Sequence, residues 1–258
     1  MNQRIITKVP EITAYFWIIK VLTTGMGETT SDYLVRHINP FIAVALGGIG
    51  FVIALALQFS ARRYVAWIYW LAVIMVAVFG TMAADVLHIG LGVPYLISTI
   101  FFTIALAVIF AVWYSTEKTL SIHSINTFRR EIFYWATVLA TFALGTAAGD
   151  MTAVTMHLGY FSSGILFAIL ISVVTIAHYI TKTILGAEHR RLSSNAVLTF
   201  WLAYIITRPL GASFADWAGV PASRGGLNFG TGLVSLVLLF IIAGFVGYLS
   251  MSHVDVKS

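Results

Sequence analysis

Five carboxylates sit inside apolar stretches of this chain: Glu28, Asp32, Asp85, Asp150 and Asp216. An acid in hydrocarbon is costly, and its usual reason is the handling of a cation or a proton. The four aspartates recur in one frame: an aromatic, a Trp, nine residues, a Gly, four residues, then the Asp. The copies are Phe16-Trp17 with Gly27 and Asp32, Tyr69-Trp70 with Gly80 and Asp85, Tyr134-Trp135 with Gly145 and Asp150, and Phe200-Trp201 with Gly211 and Asp216. Converging, they would make an acidic ring at one depth. His88 follows Asp85 by three residues and His157 follows Asp150 by seven, each on its acid's face if the helix continues. Carboxylates, hydroxyls (Thr29, Thr30, Ser31) and imidazoles, with no thiolate, suit a hard-to-borderline divalent ion. Mn2+ is the first candidate, ahead of Mg2+ or Ca2+, with Zn2+ and Fe2+ open. The expected ligands are Glu28, Asp32, Asp85, Asp150, Asp216, His88 and His157.

Lys20 and Arg208 lie deeper, twelve and eight residues before their aspartates. Each is either a structural partner for an acid or a built-in counter-cation that competes with an incoming ion. Pro209 predicts a kink in its helix that frees the Ile205 carbonyl. Thr23, Thr24, Gly25 and Gly27 predict a weak point in the first helix. Lys20, Thr24, Arg208 and Pro209 are therefore the expected tuning and gating residues, and repeats one and four the expected moving elements.

The elements that must position these groups follow from composition. The 258 residues are 59% hydrophobic and 10% charged, which excludes a soluble globular domain. With no Cys, disulfides and thiolate chemistry are excluded as well. The net charge of +5 is spread over short loops and gives no basic patch for nucleic acid. Apolar runs predict eight helices near 12–31, 40–59, 65–86, 94–115, 130–150, 161–182, 196–217 and 230–250. Each is near the ~20 residues that cross the hydrocarbon core. Paired, they give repeats of about 12–59, 65–115, 130–182 and 196–250 within one transmembrane domain, 1–258. The expected fold is an all-α membrane protein of four parallel two-helix repeats, with a pseudo-symmetry axis along the membrane normal.

Basic residues give the expected orientation. Arg4, Lys8, Arg62, Arg63, Lys118, Arg129, Arg130, Lys182, Arg190, Arg191 and Lys257 gather on one side, and Arg36 and Arg224 on the other. Both termini are then cytoplasmic, in a bacterial inner membrane. Met1 to Pro10 is polar and carries no visible cleavable signal. In this frame Trp17, Trp70, Trp135 and Trp201 are expected as interface anchors. Gly27, Gly80, Gly145, Gly149 and Gly211 are expected to let helices approach closely.

Three stretches carry a resemblance: Thr119–His123 with Arg129-Arg130-Glu131-Ile-Phe-Tyr-Trp135, Leu139–Asp150, and Thr207–Trp217. Through them the chain resembles bacterial membrane-anchored proteins built from a two-helix repeat with no assigned activity. The resemblance implies the eight-span repeat architecture and supplies no reaction.

The expected activity is transport of a divalent metal cation as substrate, possible coupling being proton exchange, with no catalytic residue and no organic cofactor. Partners are the bilayer and a small ion or solute; a homo-oligomer is left open. Three other readings stand beside it. Lys20 and Arg208 would bind an organic or anionic solute, the Asp–His pairs would form an intramembrane metalloenzyme, or the acids would only pack and cap.

Overall fold

The computed structural model describes residues 7–184 and 189–256. Arg4 and Lys257 lie outside the described residues, as do the side chains of Lys182, Arg190 and Arg191. Among the described residues there are eight long helices: α1 (Ala14–His37), α2 (Pro40–Ser60), α3 (Ala66–Asp85), α4 (Tyr95–Glu117), α5 (Phe128–Asp150), α6 (Gly159–Ile184), α7 (His189–Gly219) and α8 (Thr231–Ser252). Local signals start several of them. The Thr13 and Thr127 hydroxyls accept from the Phe16 and Arg130 N–H groups, and Asn39 caps a helix whose first residue is Pro40. All but α1 are long and apolar enough to cross a membrane, which points to a multi-pass membrane protein. The exception, α1, carries Lys20, Glu28, Asp32 and Arg36. It also runs to His37, six residues past its expected end.

The helices form two shells. The motif helices make an inner ring, with α1 on α3, α3 on α5, α5 on α7 and α7 back on α1. Each outer helix packs chiefly on the motif helix of the next repeat: α2 on α3, α4 on α5, α6 on α7, and α8 on α1. Every repeat thus covers its successor, and the last covers the first. The outer helices leave Phe41, Ile53, Phe101, Ile104, Ile169 and Phe240 exposed, an apolar exterior suited to lipid.

Two kinds of joint hold the ring, and both repeat four times. The first is small against large. A Cβ added at each motif glycine would strike the residue three before the motif glycine of the next repeat: Gly27 meets Ala77, Gly80 meets Phe142, Gly145 meets Arg208, and Gly211 meets Thr24. Only a residue without a side chain permits these approaches. A Cβ at Gly149 would rest in ordinary contact with Pro209, at 3.8 Å. The second joint is aromatic. The residue before each Trp packs on the next repeat's Trp, with ring centroids 5.8 Å apart for Phe16–Trp70, 5.7 Å for Tyr69–Trp135, 6.2 Å for Tyr134–Trp201 and 5.7 Å for Phe200–Trp17.

This corrects the assignment of the tryptophans as interface anchors. Trp70, Trp135 and Trp201 are buried, and Trp17 is half-buried. They are pieces of the inter-repeat seam, drawn inward by the aromatic residue of the preceding repeat.

Gly27→Ala tests the glycine joint. The new Cβ would fall 2.8 Å from the Ala77 carbonyl carbon and 3.1 Å from its Cα, main-chain atoms that cannot rotate away. A loss of about 1–3 kcal/mol is expected, read as a lower melting temperature in detergent. Gly244→Ala on α8, where an added Cβ meets nothing within 4 Å, is the control expected to leave the melting temperature in place.

At the aromatic end of the ring the first and last described segments, around Lys8 and Asp255, pack on the bundle. Lys8 donates to Glu131 (2.7 Å) and to the Phe59 carbonyl (3.1 Å), and Gln58 donates to Glu131 (3.0 Å). Tyr64 donates to Asp255, and burial together with that contact pushes the Tyr64 phenol pKa up. Glu117, at the end of α4, accepts from Arg129 and Arg130.

Candidate functional site

The interior of the ring is polar in layers, and each layer draws on all four motif helices. One layer lies at the residue following the motif glycine: Glu28 on α1, Thr81 on α3, Thr146 on α5 and Ala212 on α7. Only repeat one places an acid there, and only repeat four places no polar atom. Arg208, one turn earlier on α7, fills that gap. Its Nη2 donates to Glu28 (2.8 Å), to the Thr146 hydroxyl (2.9 Å) and to Thr81, while Nη1 donates to the Thr24 carbonyl (2.9 Å). The Thr81 and Thr146 hydroxyls donate to the same Glu28 oxygen at 3.2 and 3.1 Å. Arg208 and Glu28 are both buried. Glu28 is therefore an acid already occupied by a tethered cation.

The aspartates occupy the next turn of the same helix faces, four residues on. Here the structure brings together Asp85, His88 and Asp150, whose potential ligand atoms all lie within 4.8 Å of one another. Backbone irregularity makes this possible. Directly after Asp85 and after Asp150, α3 and α5 widen into π turns, Val86–Gly90 and Met151–Thr155. Such turns cluster at functional positions because they re-aim side chains out of α-helical register. Repeats one and four stay regular at this level, so the irregular backbone lies in repeats two and three instead. The helix α7 also passes through Pro209 without interruption.

His88 is held from behind by the outer helix. Its Nε2 is hydrogen-bonded to Ser98 Oγ at 2.6 Å, and Ser98 Oγ in turn lies 3.0 Å from the Tyr95 carbonyl. The other ring nitrogen, Nδ1, is the open one. It is buried, has no hydrogen-bond partner, and lies 4.0 Å from Asp150 Oδ2. An imidazole held from behind by a hydroxyl, with its other ring nitrogen beside a carboxylate, is how proteins present histidine to a metal. Ser31 reaches Asp85 from α1 at a long 3.5 Å.

The same repeat frame that builds these layers is matched by a family model. That model, described as a Repeat of Unknown Function (DUF347), matches residues 15–64, 68–119, 133–183 and 199–255. The chain belongs to the DUF347 repeat family. Each matched segment holds one inner helix and the outer helix that follows it. No curated protein and no solved structure matches the chain.

The remaining expected ligands of this DUF347 chain are placed differently. Asp32 is bridged by Arg36 of its own helix at 2.6 Å and is part-exposed. Asp216 is buried on α7. His157 does not join the cluster, which corrects its assignment. Its helix does not continue: the π turn ends at Thr155, His157 takes a left-handed backbone (φ +56°), Gly159 follows at φ +74°, and the imidazole is exposed. Arg224, beyond α7, donates to the Tyr160 hydroxyl at 2.6 Å. The residues that reading the sequence missed are Thr81, Thr146 and Ser98. The first two carried a signal, since they share with Glu28 the place after the motif glycine. Ser98 carried none, because it reaches His88 from the outer helix α4.

Proposed function

We propose that this DUF347 protein is an integral membrane transporter of a divalent cation, Mn2+ first, with proton exchange as its coupling. The four repeats run parallel about an axis along the membrane normal, with both termini cytoplasmic in a bacterial inner membrane. The single observation that carries the reading is the Asp85–His88–Asp150 cluster with its buried, unpartnered Nδ1. Two carboxylates and one imidazole are a borderline donor set. Each is anchored on an inner helix or on the π turn that extends it.

Glu28 is the next acid along the same interior, and Arg208 guards it. A cation leaving the outer cluster must displace the guanidinium to advance. Arg208 supports a cation substrate over an anion. Both of its terminal nitrogens donate to Glu28, Thr24, Thr81 and Thr146, which leaves only the buried Nε–H unpaired and engages the guanidinium with an acid already in place.

Flux into proteoliposomes carrying an internal Mn2+-sensitive dye tests the proposal. Wild-type protein is expected to admit Mn2+, and the Asp85→Asn/Asp150→Asn double variant to lose that flux. Equal flux in the two would reject this site.

A further inference from the structure

Two cationic side chains and one acid share the middle of the ring. Lys20 is 1% exposed, and its Nζ has no hydrogen-bond partner. The ammonium position lies 4.2 Å from the ring centroids of both Phe142 and Tyr204. Arg208 sits against the same Phe142 ring, its guanidinium carbon 4.9 Å from the centroid. Glu28 is committed to Arg208. Aromatic faces contribute about 2 kcal/mol to a desolvated cation. Desolvation costs such an ion several kcal/mol.

The neighbours toward the aromatic end carry hydroxyls. At the level of Lys20 the other repeats supply Val73, Val138 and Tyr204, all buried. One turn toward the aromatic end, the Tyr69 and Tyr134 hydroxyls are hydrogen-bonded at 2.5 Å, and the buried Tyr204 hydroxyl has no partner. The titratable and charged groups nearest the level of Lys20 in the ring are Arg208 and Tyr204 on α7, with Tyr134 on α5, Tyr69 on α3 and Glu28 on its own helix in the adjoining layers. The outer helix α2 brings none within its span. On α8 the one such residue is Tyr248, which packs on Tyr15 at 5.4 Å.

We infer that Lys20 is the proton-exchange site that couples this transporter, a deepening that rests on the transport reading above. A divalent cation arriving at Glu28 releases Arg208 and adds positive charge beside Lys20. The Nζ–H bond breaks, the electron pair stays on nitrogen, and the proton leaves toward the outer end, the side from which the cation came. When the cation departs toward the aromatic end and Arg208 returns to Glu28, the amine takes a proton back from that end, past the Tyr69, Tyr134 and Tyr204 hydroxyls. Cation entry and proton exit are thereby obligatorily linked.

Proteoliposomes with a pH dye and a Mn2+ dye read both movements, with a Mn2+ gradient as the only driving force. In wild type, proton counterflow should accompany Mn2+. Lys20→Met, which carries no proton, and Lys20→Arg, which does not release one, should each lose the proton movement per Mn2+ transported. Lys20→Met should melt no lower than wild type, because it removes a buried group without a partner; a clear fall would assign Lys20 to structure and overturn the inference. Mn2+ flux in wild type without proton movement, or counterflow retained in Lys20→Met, would overturn it while leaving transport intact. No Mn2+ flux in wild type would end the transport reading and this inference together.

Discussion

Arg208→Met is expected to destabilise the protein by about 3–5 kcal/mol, the cost of stranding a buried partner. The variant removes the only side chain paired in charge with Glu28 among the described residues, and leaves that carboxylate among two threonine hydroxyls. Glu28→Leu alone should cost a comparable amount, because it strands the guanidinium against Phe142. The double variant Glu28→Leu/Arg208→Met should recover most of the loss, since a buried pair exchanged for apolar groups is often neutral or better. Unfolding of the four proteins in one detergent gives the cycle directly. A cost below about 1 kcal/mol for the single variants would show a pair screened like one on an exposed surface. The stabilised double variant should transport nothing, since it lacks both the acid that receives the cation and the guanidinium that guards it.

The second large effect is expected at the Asp85–His88–Asp150 cluster. Saturating Mn2+, at 100 times its dissociation constant, should stabilise wild type by about 2.7 kcal/mol. For a chain of this size that is roughly 5–10 °C in melting temperature. Asp85→Asn and Asp150→Asn should abolish the shift. Each should also melt higher than wild type without metal, because it removes one of two carboxylates facing each other within 4.8 Å. Gain of stability with loss of response is the mark of a site kept for function. Acidification should erase the wild-type shift, because protons compete with metal for the carboxylates.

The repeat frame made much of this architecture legible. Four copies of one spacing, each followed by an apolar run, left little choice but paired helices. The frame did not say which helix packs on which. A helix shields its own repeat and its neighbour's equally well on paper, and it is the glycine joints, Gly27 on Ala77 through Gly211 on Thr24, that pass each contact to the next repeat. Trp70, Trp135 and Trp201 were misread for that reason: a Trp near a helix end suits a lipid interface until the preceding repeat's aromatic residue takes it inside. The aspartates drew attention by their charge, while the place after the glycine held the Arg208 lock. Comparing Glu28, Thr81, Thr146 and Ala212 as one position would have revealed the missing fourth polar group. The π turns left no sequence signal we can name, and without them His88 and His157 look equally well placed.

One measurement bears most directly on the central claim that Asp85, His88 and Asp150 hold a divalent cation. Purified protein loaded with a single equivalent of Mn2+ can be read by electron spin echo envelope modulation, which detects a nitrogen bonded to the ion. The account predicts 14N modulation in wild type that vanishes in His88→Gln. Bound Mn2+ without nitrogen coupling, or coupling that survives that substitution, would contradict it.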